Sequence, residues 1–235
     1  LNIGDYEPKI RELTRPYLEA YAIKCGMEIC EITERKFPEW PVTYEKLQIY
    51  ELGKDNDWNL YVDSDALIHP DLIDFTEILD KDTVFFYGKD FWSQRWRYDK
   101  YARRDGRHIS ACTWFVLCSD WTIDLWRPNE DLGPEEAIRN IKPVQVEINY
   151  AKYMGESMKG YATHLIDDYT LSRNIAKFGL KHKTVNEINE ELKLNQHPYF
   201  AHIYLDDPET KYEFLMDHHQ AWKNMSGSVI ARENR

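Results

Sequence analysis

The chain has 235 residues, enough for one substantial domain with a buried core and short for two independent ones. Its 30 Lys and Arg stand against 41 Asp and Glu, and the resulting net charge of −11 disfavours a general affinity for nucleic acid or anionic membrane. A mean hydropathy of −0.67, with no uninterrupted apolar run of about 18 residues, excludes a spanning helix within the sequence.

Aromatic residues make up 14%, with 8 Trp and 16 Tyr, which suits flat, stackable ligands such as bases or sugars; core packing accounts for them equally well. The four Cys, at 25, 30, 112 and 118, lack the close pairs of a zinc site and the density of a disulfide scaffold. They read as reduced thiols, mostly in the core. A soluble, cytoplasmic chain is expected, while Leu1 in place of an initiator Met leaves room for a signal or anchor upstream.

In chain order, residues 1–5 read as the tail of a strand running into a turn, followed by a helix over 13–24 with Leu18, Tyr21 and Ala22 on one face and Gly26 after it. Residues 27–32 alternate apolar with acidic side chains and read as a second strand, ending in a loop through Pro38 and Pro41. Thr43 can cap a helix that carries Tyr44, Leu47 and Tyr50 on one face and stops at Gly53. The apolar strand 58–62 then delivers Asp63-Ser64-Asp65. This β-α-β-α-β alternation predicts an α/β fold of Rossmann type, with a central mixed, mostly parallel sheet flanked by helices.

Beyond Asp65, Pro70 is expected to open a short helix with Leu72, Ile73 and Phe75, and a strand follows at 83–87. The long loop 88–107 holds Phe91, Trp92, Trp96, Tyr98 and Tyr101 among Arg95, Arg97, Arg103 and Arg104; loops of that length in compact domains are usually functional or mobile. Next come a long strand at 109–118, helical segments around 121–126, 135–141 and 144–154, and a strand at 161–166. That strand feeds Asp167-Asp168 at the start of a helix over 169–178. Strands at 180–185 and 200–205, a helix from Pro208 to about Lys223 and a polar tail at 226–235 complete the chain.

An Asp-x-Asp at the end of a buried strand puts two carboxylates at the sheet edge where an open α/β sheet binds its ligand. Such hard oxygen ligands suit Mg²⁺ or Mn²⁺, with the ion bridging to phosphates. Asp is also common in capped turns after strands. The run Lys46-Leu47-Gln48-Ile49-Tyr50, followed by Trp58-Asn59-Leu60-Tyr61-Val62-Asp63-Ser64-Asp65-Ala66-Leu67-Ile68, resembles the nucleotide-sugar half of the GT-A glycosyltransferases. The resemblance is to the galactosyl/mannosyltransferase and glycogenin-like branches. It implies a single GT-A domain over 1–225, with a nucleotide-sugar half at 1–110 and an acceptor and catalytic half at 111–225. It also implies that Asp65 binds the divalent metal and that Asp63 contacts donor ribose or sugar and shares the metal. Ile3 and Tyr6 would join the donor site, Tyr6 by stacking on uracil, and Lys46 would help hold the donor.

The segment Asp167-Asp168-Tyr169-Thr170-Leu171-Ser172-Arg173, with Gly179 beyond it, is similar to the acidic helix-start motif of inverting GT-A enzymes. It carries Asp where Glu is usual at 167, and its Arg comes one position early. The similarity implies that Asp168, beside Asp167, deprotonates the acceptor hydroxyl. Read from the residues alone, both Asp also suit a helix N-terminus, where they cap N–H groups and complement the dipole. His202, in Tyr199-Phe200-Ala201-His202-Ile203-Tyr204, looks like the C-terminal His that several branches bring to the metal, and an imidazole would favour Mn²⁺ over Mg²⁺. A His between apolar residues also fits a core. Trp92, Trp96 and Trp114 would offer ring faces to an acceptor sugar, with Arg95, Arg97 and Arg103 as partners for hydroxyls or phosphates.

The implied activity is that of a metal-dependent hexosyl- or pentosyltransferase, moving a sugar from a nucleoside-diphosphate donor of UDP type to a carbohydrate or other hydroxyl acceptor with inversion. Two other classes compete. A haloacid-dehalogenase-type phosphatase also places Asp-x-Asp after a hydrophobic strand, but it expects Thr or Val where this chain has Leu67, and its first motif nearer the chain start. A non-catalytic sugar- or nucleotide-binding module could use the same fold.

Overall fold

A computed structural model describes residues 1–4, 7–87, 89–90, 109–110, 113–147, 165–203 and 207–224. The helices are α1 (Pro8–Lys24), α2 (Ile49–Leu52), α3 (Pro134–Glu147), α4 (Ile166–Lys177), α5 (Val185–Leu192) and α6 (Pro208–Lys223). The strands are β1 (Trp58–Val62), β2 (Leu67–Ile68), β3 (Thr83–Phe86), β4 (Lys89–Asp90), β5 (Ile109–Ser110), β6 (Phe115–Ser119), β7 (Lys181–Thr184) and β8 (Phe200–Ala201). Tight 3-10 segments lie at Val42–Gln48, Phe75–Glu77, Asp120–Trp126 and His197–Tyr199. Contacts group the chain into two units, one from Leu1–Thr33, Val62–Ile78 and Ile188–Arg235, the other from Glu34–Tyr61 and Leu79–Glu187. Each unit draws on chain from both sides of residue 110. No helix among the described residues is long and apolar enough to cross a membrane.

In the first unit, α1 starts at Pro8 and not at Leu13, because proline is tolerated at the first helical position, where its missing N–H has no partner to lose. Ile10, Thr14, Tyr17 and Tyr21 form its buried face. Gly26, at φ 66, ends the helix, and Met27 N–H returns to Ala22 C=O at 2.8 Å. The strand expected at 27–32 is absent, and residues 1–4 form none either. Gly4, at φ 72, bends the first segment out of an extended path, and the two segments share one backbone hydrogen bond, Asn2 N–H to Ile32 C=O at 2.8 Å. The short helix expected from Pro70 starts later, at Phe75, because the Asp74 carboxylate accepts Thr76 N–H at 2.9 Å and so fixes the cap there. Strands β2 and β8 pair antiparallel, Leu67 opposite Ala201 and Ile68 opposite Phe200. The late strand is thus described only over Phe200–Ala201 of the expected 200–205, of which residues 204 and 205 lie outside the described residues. Ile10, Tyr17, Leu67, Ala201, Leu215 and Trp222 form a common core, and each large apolar side chain so buried stabilises by about 1.5–3 kcal/mol.

The second unit holds a sheet in the order β1-β6-β3-β7. Strand β3 runs antiparallel to β6 (Phe85 opposite Leu117) and parallel to β7 (Val84 opposite His182). Both β3 and β6 are buried along their length, as central strands covered on two faces should be. The chain is therefore α/β with a mixed, partly parallel sheet. The two short ladders outside this sheet, β2 with β8 and β4 with β5, are antiparallel. A parallel pair needs a crossover, and helices α3 and α4 precede β7, whereas no described helix separates β3 from β6. The expected strand 109–118 is broken into β5 and β6, with a turn at Thr113 and Trp114. Residue 166 opens a helix and does not close a strand, while 161–164 lie outside the described residues. Of the cysteines described, only Cys118 is buried; Cys25 is half-buried and Cys30 exposed, all three as free thiols.

Candidate functional site

Strand register brings the first group of residues together. Because Leu67 faces Ala201 across the antiparallel β2/β8 pair, the residues just before β2 and just after β8 meet at the same end of the ladder. His202 follows β8 directly, and Asp65 precedes β2 by one intervening residue, Ala66. The turn that carries Asp65 closes through Ala66 N–H to Asp63 C=O at 3.1 Å, and the Thr14 hydroxyl of α1 donates to Ser64 C=O at 2.5 Å. Asp63, Asp65 and His202 each offer a ligand atom within 4.8 Å of the others. His202 Nε2 lies 3.6 Å from Asp65 Oδ1. Two carboxylates and an imidazole at this spacing form a donor set that fits Mn²⁺, or Mg²⁺ less well.

A fourth side chain joins this group, and sequence reasoning passed over it. Lys211 Nζ donates to Asp65 Oδ2 at 2.5 Å, with both side chains largely buried. Helix α6 supplies it: the Asp207 carboxylate caps Thr210 N–H at 2.8 Å, and Pro208 takes the first helical position. Lys211 heads the buried stripe of α6 that continues as Leu215 and Trp222. That i, i+4, i+11 spacing with two apolar residues was the available signal. Burial works against the charge on Asp65, but the hydrogen bond and charge of His202 and the Lys211 ammonium outweigh it and hold the carboxyl well below the usual range.

The second unit carries a separate polar group. Asp167 and Asp168 lie in the first turn of α4, which begins at Ile166, three residues before the expected start. Their carboxylates turn to Thr113, whose hydroxyl donates to Asp167 Oδ2 at 2.7 Å and whose backbone N–H donates to Asp168 Oδ1 at 3.2 Å. Lys46, on the Val42–Gln48 segment, pairs with Asp167 Oδ2 at 2.7 Å and lies 5.0 Å from the centre of the Tyr61 ring. Asp167 is 2% exposed, and its Oδ1 is buried with no hydrogen-bond partner among the described residues. Asp168 is half-buried. Lys46, Asp167 and Asp168 are thus brought together, and Thr113, which reads in sequence as one more residue of a strand, joins them.

Other expected site residues fall elsewhere. Trp114 is 7% exposed, with its ring 4.6 Å from that of Tyr87. Ile3 is half-buried near the start of the first unit. Tyr6, Trp92 and Trp96, with Arg95, Arg97 and Arg103, lie outside the described residues. No family model, no curated protein and no solved structure matches this chain.

Proposed function

We propose that this chain is a metal-dependent glycosyltransferase that moves a sugar from a nucleoside-diphosphate donor, of UDP type, to a hydroxyl acceptor with inversion. The observation that carries the reading is the meeting of Asp63 and Asp65 with His202, a residue far away in the chain, in one donor set. A divalent ion held there supplies positive charge for a departing diphosphate. The rest falls to the chain's own groups. Asp63, Asp65 and His202 fix the donor end, with His202 Nε2 and Asp65 Oδ1 on facing sides. Asp168 takes the proton from the acceptor hydroxyl; a well-placed base of this kind contributes about 10²–10⁴ in rate. Asp167 has a different task, as counter-charge to Lys46.

Nucleotide sugars screened by thermal shift with and without Mn²⁺ test this reading. A UDP-sugar should raise the melting point only with the ion present, by mass action. Asp65→Ala should lose both that shift and turnover. Retention of both in the variant would overturn the assignment.

A further inference from the structure

We propose that Lys211 is the resident counter-cation of the Asp63–Asp65–His202 group and sets how strongly that group takes a divalent ion. The inference rests on the metal reading above and concerns a residue to which that reading gives no part. The two oxygens of Asp65 are divided: Oδ1 faces His202 Nε2 at 3.6 Å, and Oδ2 accepts Lys211 Nζ at 2.5 Å. With Oδ2 taken, Asp65 has one oxygen, Oδ1, to offer an ion. Lys211 is held there by more than attraction. Its helix is capped by Asp207, and the residues one and about three turns further along the same face, Leu215 and Trp222, are anchored in the core.

Charge gives this arrangement its consequence. Two carboxylates facing an incoming dication present two negative charges, and the ammonium cancels one of them while repelling the ion directly. In a buried setting such terms are screened far less than in water. Once a dication is bound, the group with Lys211 carries one net positive charge, which an anion must balance. The ion on its own therefore binds weakly, and the site is built to receive it together with an anionic ligand of diphosphate type. Without Lys211 the same carboxylates would be a stronger trap for the bare ion.

The test uses the full chain and Mn²⁺ alone, with no nucleotide, so that its readout is independent of turnover. Mn²⁺ affinity is measured by calorimetry and by the EPR signal of free Mn²⁺ in the wild type, Lys211→Met, Lys211→Gln and Lys211→Arg, with Asp65→Asn as a control. Lys211→Met and Lys211→Gln should tighten Mn²⁺ by about tenfold or more, Lys211→Arg should stay near the wild type, and Asp65→Asn should weaken it. Lys211→Met should also melt lower than the wild type without Mn²⁺ and recover more on its addition. If Lys211→Met does not fold, Lys211→Gln carries the comparison, because it keeps a donor for Oδ2 and most of the stem. Wild-type binding that neither variant tightens overturns the role of Lys211 and leaves the metal reading standing. Absence of Mn²⁺ binding in the wild type and every variant overturns both.

Discussion

Asp167 and Asp168 are adjacent in sequence and opposite in environment. Asp167 is locked between the Lys46 ammonium and the Thr113 hydroxyl, whereas Asp168 is half-buried and takes the Thr113 backbone N–H. Because the Lys46 ammonium and the Thr113 hydroxyl both occupy Asp167 Oδ2, the proposed reaction assigns the base role to the half-buried Asp168. Asp168→Asn keeps an oxygen for Thr113 N–H and should fold normally. Its kcat should fall about 10²–10⁴ with donor KM little changed, measured by steady-state kinetics beside NMR of the product anomer. An unchanged kcat, or a product that retains the donor configuration, would remove Asp168 from that role. At this scale the grouping of Asp63, Asp65 and His202 was legible because Asp-x-Asp and a late His are local patterns. Lys211 and Thr113 were not, because a lysine in a helix reads as solvated and a threonine beside a strand reads as ladder; register across the fold gives them their partners.

Among the elements, α6 shows the clearest agreement between sequence and structure. Pro208 marks its start and Lys223 its end, where they were expected, and the Asp207 side chain caps it. Its cap also holds the first turn, which carries Lys211. Asp207→Ala should therefore cost about 0.5–2 kcal/mol in urea unfolding, with the loss smaller in Asp207→Asn, which can still cap. Equal losses in the two variants would show that the cap is not what holds this turn. The segment 27–32 teaches the converse. Alternation of Met27 and Ile29 with Glu28 is compatible with a strand, but a strand needs a partner's ladder, and Ile29 is left exposed. Asp74 likewise moved a helix start away from Pro70 by a side-chain bond that proline signals do not reveal.

Across the whole molecule, two histidines of the first unit, His69 buried and His219 half-buried, link stability to pH. His69 is fully buried against Tyr199 and Trp222; its Nδ1 accepts Asp71 N–H at 3.1 Å and its Nε2 finds no hydrogen-bond partner among the described residues. Burial lowers its pKa, with nearby Lys24 adding to the effect and Asp71 opposing it. His219 is lowered by burial and then by Lys223, and its Nδ1 pairs at 2.8 Å with the Tyr17 hydroxyl, itself pushed up to about 12 by burial. Both groups have folded pKa values below the unfolded value of about 6.5, so the unfolded chain binds more protons as pH falls. Their contribution is intact above about pH 6.5 and is lost as pH drops through that value toward the folded pKa. Urea midpoints between pH 7.5 and 5 should fall in the wild type and fall less in a His69→Gln/His219→Gln double variant. The same pH dependence in both would place its origin elsewhere.

The first unit is assembled from the two ends of the chain and a short stretch between, while the second occupies most of what intervenes. On a ribosome, which releases the chain from its N-terminus, Asp63 and Asp65 emerge long before His202 and Lys211. Until α6 appears, α1 has no Leu215 or Trp222 to pack on, and the acidic turn faces water without its lysine. The second unit can condense during that interval. The order of synthesis thus leaves the Asp63, Asp65 and His202 group open until late, and makes α6 the segment whose arrival supplies its lysine.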